Sequence, residues 1–203
     1  MGVEDYILEI KRGKLIRNSR VLKGDILDVG AGTAPYGDIF LETCDTYTPV
    51  DLVDFDANKR WPTLSESYDT VFLGDVLEHC PDPLSVLKEA HRTLCHDGYL
   101  LIFTPWQWRR HSGRADDLPE IPTDYWRFAP KGIASLVIDA GFSKVQSDPL
   151  TKTAESLALK GFAALPDYVF RLLFPLMIIT KWVDSLSPNY NDTISYFSIA
   201  NKI

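Results

Sequence analysis

The stretch richest in chemistry is Ile26-Leu27-Asp28-Val29-Gly30-Ala31-Gly32, an apolar run that ends in two glycines and carries an acid just before them. Glycines at this spacing let the backbone close on a bound ligand, because no Cβ stands between chain and ligand. The neighbouring residues narrow what that ligand is. A dinucleotide-binding turn wants a third small residue where this chain has Pro35, and a carboxylate such as Asp28 is poorly suited to a pyrophosphate. Asp28 instead suits a cationic cofactor bearing an ammonium and a sulfonium. An NAD(P)-dependent oxidoreductase remains the competing reading of the turn. Asp51 ends a second apolar run, where an acid accepts the ribose hydroxyls that either cofactor class brings.

Such a turn needs a strand before it and a helix after it, and the surrounding sequence supplies both. From residue 24 to 147, short β-branched runs alternate with helical patterns, which predicts an α/β fold with a doubly wound, mostly parallel sheet. Strands are expected at 26–29, 46–50, 69–73 and 99–104. The clearest helix opens with Asp82 as N-cap and Pro83 at its first position, and repeats Leu84, Leu87, His91 and Leu94 on one face. Another follows Pro130, carries Ile133, Leu136 and Val137, and stops at Gly141. Residues 105–129, rich in Pro, Trp, Arg and Asp, have no period, and a loop of that length is usually functional. Residues 193–200 alternate like a strand that adds an edge to the sheet. The whole chain reads as one domain: an N-terminal helical segment at 1–23, a cofactor-binding core at 24–147, and a helical cap with a final strand at 148–203.

Composition removes several function classes. A length of 203 residues fits one domain with an appendage, and 45% hydrophobic with 24% charged residues excludes a disordered chain. A formal net charge of −7 argues against nucleic acid as a partner, since phosphate binding needs a face rich in lysine and arginine. Cys44, Cys80 and Cys95 form no CxxC pair and fit a reducing, cytoplasmic setting. Residues 1–20 hold no apolar run of signal-peptide length. The apolar stretch 157–183 is broken by Lys160, Asp167 and Arg171 and falls short of the ~20 residues that span a bilayer.

Taken in order, Asp28-Val29-Gly30-Ala31-Gly32, Val50-Asp51-Leu52, and the run from Ser67 through Gly74-Asp75-Val76-Leu77-Glu78-His79-Cys80-Pro81-Asp82-Pro83 resemble the class I S-adenosylmethionine-dependent methyltransferases. Within that family they are most similar to the small-molecule branch typified by ubiquinone-biosynthesis enzymes. The helix around 87–94, Asp97-Gly98 with its following strand, and Thr104-Pro105 continue the likeness, which covers residues 24–142. The resemblance implies S-adenosylmethionine as cofactor, held by Asp28, Gly30, Ala31 and Gly32 at the turn. It implies that Asp51 and Leu52 meet the ribose, that Asp56 and Ala57 meet the adenine, and that Asp75, Val76 and Leu77 line the methionine side. Two departures stand out: Ala34 occupies the place of a third glycine in many relatives, and the short stretch 51–69 leaves little room for the family's third strand.

Methyl transfer from a sulfonium is an in-line displacement, so the protein mainly orients the acceptor and excludes water. A general base is required only for a hydroxyl or an acidic carbon. By the resemblance, His79 is the best-placed base. Thr123-Asp124-Tyr125-Trp126-Arg127-Phe128 resembles a substrate loop of enzymes acting on glycan-type or small hydroxyl-bearing acceptors, which makes Asp124 and Tyr125 alternatives. The slot after the central strand, Gly74-Asp75-Val76-Leu77, lacks the Pro-Pro-aromatic signature of nucleobase-amine methylation, and Cys80 before Pro81 reverses the order of the cysteine-nucleophile class. No metal is expected, since Asp75, Glu78 and His79 lie along one turn and adjacent positions seldom converge on an ion. Residues 105–111 and 162–182, apolar with Trp and Arg, read as a cap over the pocket or as a peripheral contact with the inner face of a membrane. The expected function is methylation of a small-molecule acceptor, glycan-type or lipid-linked, at a hydroxyl; a catalytically inactive, cofactor-binding partner subunit is the non-enzymatic alternative.

Overall fold

In the computed structural model, which describes residues 2–109, 124–186 and 192–203, the chain runs α1 (Val3–Arg17), β1 (Asp25–Val29), α2 (Gly37–Thr43), β2 (Thr46–Val50), β3 (Tyr68–Gly74), α3 (Pro83–Thr93), β4 (Leu94–Pro105), α4 (Pro130–Asp139), β5 (Lys144–Pro149), α5 (Thr153–Phe162), α6 (Asp167–Leu173), α7 (Leu176–Leu186) and β6 (Ser195–Asn201). The strands form one sheet in the order β2-β1-β3-β4-β6-β5. The first four are parallel to one another, whereas β6 is antiparallel to both β4 and β5. This is the α/β, mostly parallel, Rossmann-like sheet that the alternation of strand and helix patterns predicts.

Helix starts follow the local chemistry. The Asp82 side chain accepts the Ser85 N–H at 3.2 Å, with Pro83 at the first position, so a donor that the helix leaves unpaired is satisfied where the sequence places the cap. Two apolar clusters cover the faces of the sheet. One sets α3 and α4 against β3 and β4 through Leu73, Val86, Leu87, Leu100, Ile133 and Val137; the other joins α1, α2, α5 and α6 through Tyr6, Ile7, Phe40, Phe72, Leu159 and Phe170.

Two features differ from the sequence reading. β6 does not add an edge: it is inserted between β4 and β5, and its residues are buried along nearly the whole strand because both flanks and both faces are covered. The edge is β5, whose mixed polar sequence Lys-Val-Gln-Ser-Asp-Pro carries charge where an unpaired ladder would otherwise invite pairing. Between β2 and β3 no further strand forms. Residues 51–67 are instead pinned by Trp61, which is 1% exposed, donates its Nε1–H to the Ala57 carbonyl at 3.0 Å and its backbone N–H to Glu89 at 2.9 Å. Arg92 of α3 continues the clamp by donating to the Thr63 carbonyl at 3.0 Å while paired with Glu89 at 2.7 Å.

Candidate active site

The chain leaves β1 for β2 on one side and later returns to place β3 on the other, so the strand order reverses between β1 and β3. Crevices beyond the carboxyl ends of strands at such a reversal are where open α/β sheets bind ligands. Both loops read from the sequence meet there. Gly30 adopts φ +76°, and a Cβ added to it would stand 2.5 Å from Val76 Cγ2. The turn after β1 and the turn after β3 are therefore in contact through a position that only glycine fills without displacement. Gly32, at φ +54°, donates its N–H to Asp51 at 2.6 Å, and Leu52 donates to the other Asp51 oxygen at 2.6 Å. Gly30 and Ala31 both donate to the Val50 carbonyl, at 2.9 and 3.0 Å, which closes the turn onto the end of β2. Ala34, which the sequence reading places where a third glycine is expected, also takes a left-handed backbone at φ +54°.

Asp28 sits beneath this turn, 1% exposed, and accepts the Tyr47 hydroxyl at 2.8 Å. Burial pushes its carboxyl up to about 7, with the Asp51 charge adding to the rise and the Tyr47 hydrogen bond opposing it. A group poised there gains from a nearby cation, which suits a ligand carrying an ammonium or a sulfonium. Asp75, at φ +58° immediately after β3, forms an ion pair with Lys11 of α1. Lys11 also lies over the Phe103 ring, 5.6 Å from its centre. Sequence reasoning misses Lys11 because a lone lysine in a polar helix carries no mark of tertiary position. Asp75 and Lys11, with Glu4, Ile7, Trp108 and Ser195, line a cavity of about 150 Å³ beside the turn. Arg12 braces the far end of the glycine turn, donating to the Pro35 carbonyl at 2.6 Å and to Asp38 at 2.8 Å.

The third predicted group also assembles. His79 follows Leu77, which is fully buried, in a short 3₁₀ turn after β3, and its Nδ1 lies 3.7 Å from Asp124 Oδ1. Arg127 holds Asp124 in place by donating to its other oxygen at 2.7 Å, and reaches the Trp108 and Arg109 carbonyls at 3.4 and 3.2 Å. Tyr125 and Trp126 donate their backbone N–H groups to the Glu78 carbonyl at 2.7 and 3.2 Å, and the Trp126 indole donates to the Cys80 carbonyl at 2.9 Å. Residues 124–128 are thus sewn onto the turn that bears His79, while Tyr125 is 54% exposed. Of the loop 105–129, residues 110–123 lie outside the described part. Burial, reinforced by the Asp75 charge, raises the Glu78 carboxyl well above the usual carboxylate range, and burial lifts the Cys80 thiol to about 12, which leaves it no nucleophile.

Asp56 and Ala57 lie on the shortened segment. Asp56 accepts the backbone and side-chain N–H groups of Asn58, each at 2.9 Å, which hold its carboxyl below the usual range, and Ala57 belongs to the packing around Trp61. Among the described residues no three His, Cys, Asp or Glu side chains are grouped to hold a metal ion.

Comparison with known proteins fits this geometry. Residues 7–147 match the family model of a methyltransferase domain. The chain belongs to that methyltransferase family. The match takes in α1 from Ile7 onward, with Lys11, both turns and the loop bearing Asp124, and the family is that of the class I S-adenosylmethionine-dependent enzymes. The ubiquinone biosynthesis O-methyltransferase of Aliivibrio fischeri (strain ES114) is 28% identical to this methyltransferase domain over 93 residues, 45% of this chain and 40% of that protein. The aligned part is thus about two-fifths of the curated relative's length. An S-adenosylmethionine-dependent methyltransferase from Archaeoglobus fulgidus shares the fold with a TM-score of 0.60 at 16% identity, covering 96% of this chain and 94% of that one. Phosphoethanolamine N-methyltransferase 2 of Haemonchus contortus, solved with phosphomonomethylethanolamine and S-adenosylhomocysteine, gives a TM-score of 0.62 at 15% identity, covering 95% of this chain and 52% of that one. Family membership makes S-adenosylmethionine, and not a dinucleotide, the cofactor.

Proposed function

We propose that this chain transfers a methyl group from S-adenosylmethionine to a hydroxyl of a small-molecule acceptor, glycan-type or lipid-linked, with His79 as the base. The observation that carries this is the meeting of His79 with Asp124 at 3.7 Å, beside the glycine turn, from segments far apart in sequence. A histidine backed by a carboxylate is the arrangement that takes a proton from a hydroxyl, and an amine acceptor would not require it. In this reading Asp51 accepts the ribose hydroxyls, Asp28 faces the cationic end of the cofactor, and Asp75, Val76 and Leu77 border its methionine portion. When bound, the cofactor supplies an electrophilic methyl group. Asp124, itself held by Arg127, orients His79; Tyr125 offers a hydroxyl to the acceptor; Lys11 and Trp108 border the cavity where the acceptor sits.

The test pairs binding with turnover. The full chain is expected to bind S-adenosylhomocysteine in calorimetry and to label hydroxyl acceptors, among phenols, sugars and prenylated phenols, from S-adenosylmethionine carrying an isotopic methyl. His79→Ala is expected to keep cofactor binding and to lose about 100- to 10,000-fold in transfer rate. Loss of cofactor binding by His79→Ala, or transfer at the parent rate, would remove His79 as the base. Cofactor binding with no transfer to any acceptor would favour a partner subunit.

A further inference from the structure

The ring of Tyr36 stands where α2 begins, and aromatic neighbours hold it from three elements. Phe72 of β3 meets it edge-on with 5.4 Å between ring centres, Phe103 of β4 lies at 6.0 Å and Phe40 of α2 at 6.5 Å. Its backbone is fixed as well: the Tyr36 carbonyl accepts the N–H groups of Ile39 and Phe40 at 3.0 and 3.2 Å, and Arg12 holds the neighbouring Pro35 carbonyl. With 6% of its surface exposed, Tyr36 packs as one more aromatic of the core. Its hydroxyl does not fit that account, because such packing asks only for phenylalanine.

A buried phenolic O–H ordinarily finds a hydrogen-bond partner, since withdrawing it from water without one is costly. Tyr6 and Tyr47 follow the rule, donating to Glu155 at 2.7 Å and to Asp28 at 2.8 Å. Among the described residues no hydrogen bond reaches the Tyr36 hydroxyl. The end of the ring that carries it lies at the crevice: a Cβ added to Gly74, the last residue of β3, would stand 3.6 Å from Tyr36 Cε2, the carbon next to the one that bears the oxygen. Asp75 follows Gly74, and Asp28 is in register with Phe72 on the neighbouring strand. Burial raises the Tyr36 hydroxyl above the usual tyrosine range, with the Asp75 and Asp28 charges adding to the rise and Arg12 opposing it. The group therefore stays an O–H with lone pairs to offer, close to two carboxylates.

Each of those carboxylates has one oxygen engaged, Asp28 Oδ2 by Tyr47 and Asp75 Oδ2 by Lys11, and a second oxygen to offer. Two carboxylate oxygens and a phenolic oxygen make three acceptors, the number that a primary ammonium with its three N–H groups can use. A sulfonium has no N–H to give. We infer that Tyr36 is a cofactor-binding residue whose hydroxyl oxygen, together with Asp28 and Asp75, receives the α-ammonium of S-adenosylmethionine. The inference rests on the reading of Asp28 and Asp75 as the cationic, methionine side of the site, and is independent of His79 and of the acceptor. Pinned by Phe40, Phe72 and Phe103, the ring holds that oxygen in one place before the cofactor arrives.

The test is calorimetry on the full chain with two probes, S-adenosylhomocysteine and the analogue that lacks its α-amino group. The parent is expected to bind the first more tightly. Tyr36→Phe keeps the ring and is expected to unfold in urea at the parent midpoint or slightly above it, since it removes a buried hydroxyl that serves no bond of the fold. The variant is expected to bind S-adenosylhomocysteine about ten- to a hundredfold more weakly, as for loss of a hydrogen bond to a charged group, and to bind the analogue as the parent does. Equal weakening of both probes, or a lowered urea midpoint, assigns the hydroxyl to the fold and overturns the inference. A variant that keeps the parent's preference for the amine overturns it while the reading of Asp28 and Asp75 stands; a parent without that preference removes both. Weakened binding of S-adenosylmethionine with S-adenosylhomocysteine unaffected would turn the hydroxyl toward the sulfonium and overturn it too.

Discussion

Replacing Gly30 by alanine tests the contact between the two turns directly. Two costs are separable. A left-handed backbone at φ +76° costs a residue with a Cβ about 1–2 kcal/mol, of which about 0.4–1 kcal/mol is offset by the lower entropy of the unfolded alanine chain. The added Cβ also meets Val76 Cγ2 at 2.5 Å, an overpacking that costs about 1–3 kcal/mol. Gly30→Ala is therefore expected to destabilise by about 3 kcal/mol, lowering the melting temperature by roughly 6–12 °C in a domain of this size. Val76→Ala alone, at a partly buried position, should cost about 1 kcal/mol. The double variant removes the γ-methyls that the new Cβ at position 30 would strike, so its loss should be about 2 kcal/mol, not the roughly 4 kcal/mol of simple addition. Urea unfolding of the four proteins measures this cycle, and calorimetry with S-adenosylhomocysteine shows whether the cofactor turn is restored with it. Additive energies, or a Gly30→Ala variant within about 0.5 kcal/mol of the parent, would refute the proposed contact and the cradle argued from it.

Two further outcomes follow from the same site. Asp28 titrates near 7 in the fold against 3.8 for an ordinary aspartate, so the folded chain holds its proton more tightly; this stability is present below about pH 4 and lost as pH rises through 7, amounting to about 4 kcal/mol at most. Asp28→Asn should flatten that decline in melting temperature between pH 4 and 8, and an unchanged slope in circular-dichroism melts would reject the assignment. Ala34→Gly, at a position already left-handed at φ +54°, should stabilise by about 0.5–1 kcal/mol in urea unfolding, the reverse of an ordinary alanine-to-glycine change.

The site's frame is legible in the sequence where local rules and the ligand's needs coincide. Gly30 and Gly32 mark a turn, Asp51 ends a strand, and Asp82-Pro83 starts a helix because each solves a backbone problem within a few residues. Lys11 and Arg127 are not legible in the same way: their roles come from tertiary placement, one across from Asp75 and the other bridging Asp124 to residues 108 and 109. β5 leaves little trace because an edge strand needs little apolar content. β6 reads as an edge because alternation gives a strand but not its neighbours, and Ser195 and Ser198 are buried despite being polar. The surplus burial comes from pairing on both sides, which no period reveals. Trp61, buried beneath the short 51–67 segment, compensates for an absent strand, and its partners Glu89 and Arg92 lie on a helix whose sequence pattern advertises only its apolar face.

The insertion of β6 between β4 and β5 also sets an order of events during synthesis. β5 emerges well before β6 but has no strand to pair with until three more helices, α5, α6 and α7, have been made. Until then one side of β4 and all of β5 expose unpaired backbone beside apolar side chains, a state prone to pairing with other chains. The nascent protein therefore carries β1 to β4 close to finished while the C-terminal part of the sheet stays open. A ribosome pause after α7 would prolong that exposure, and chaperone binding at this stage would have a defined target in the β4 edge.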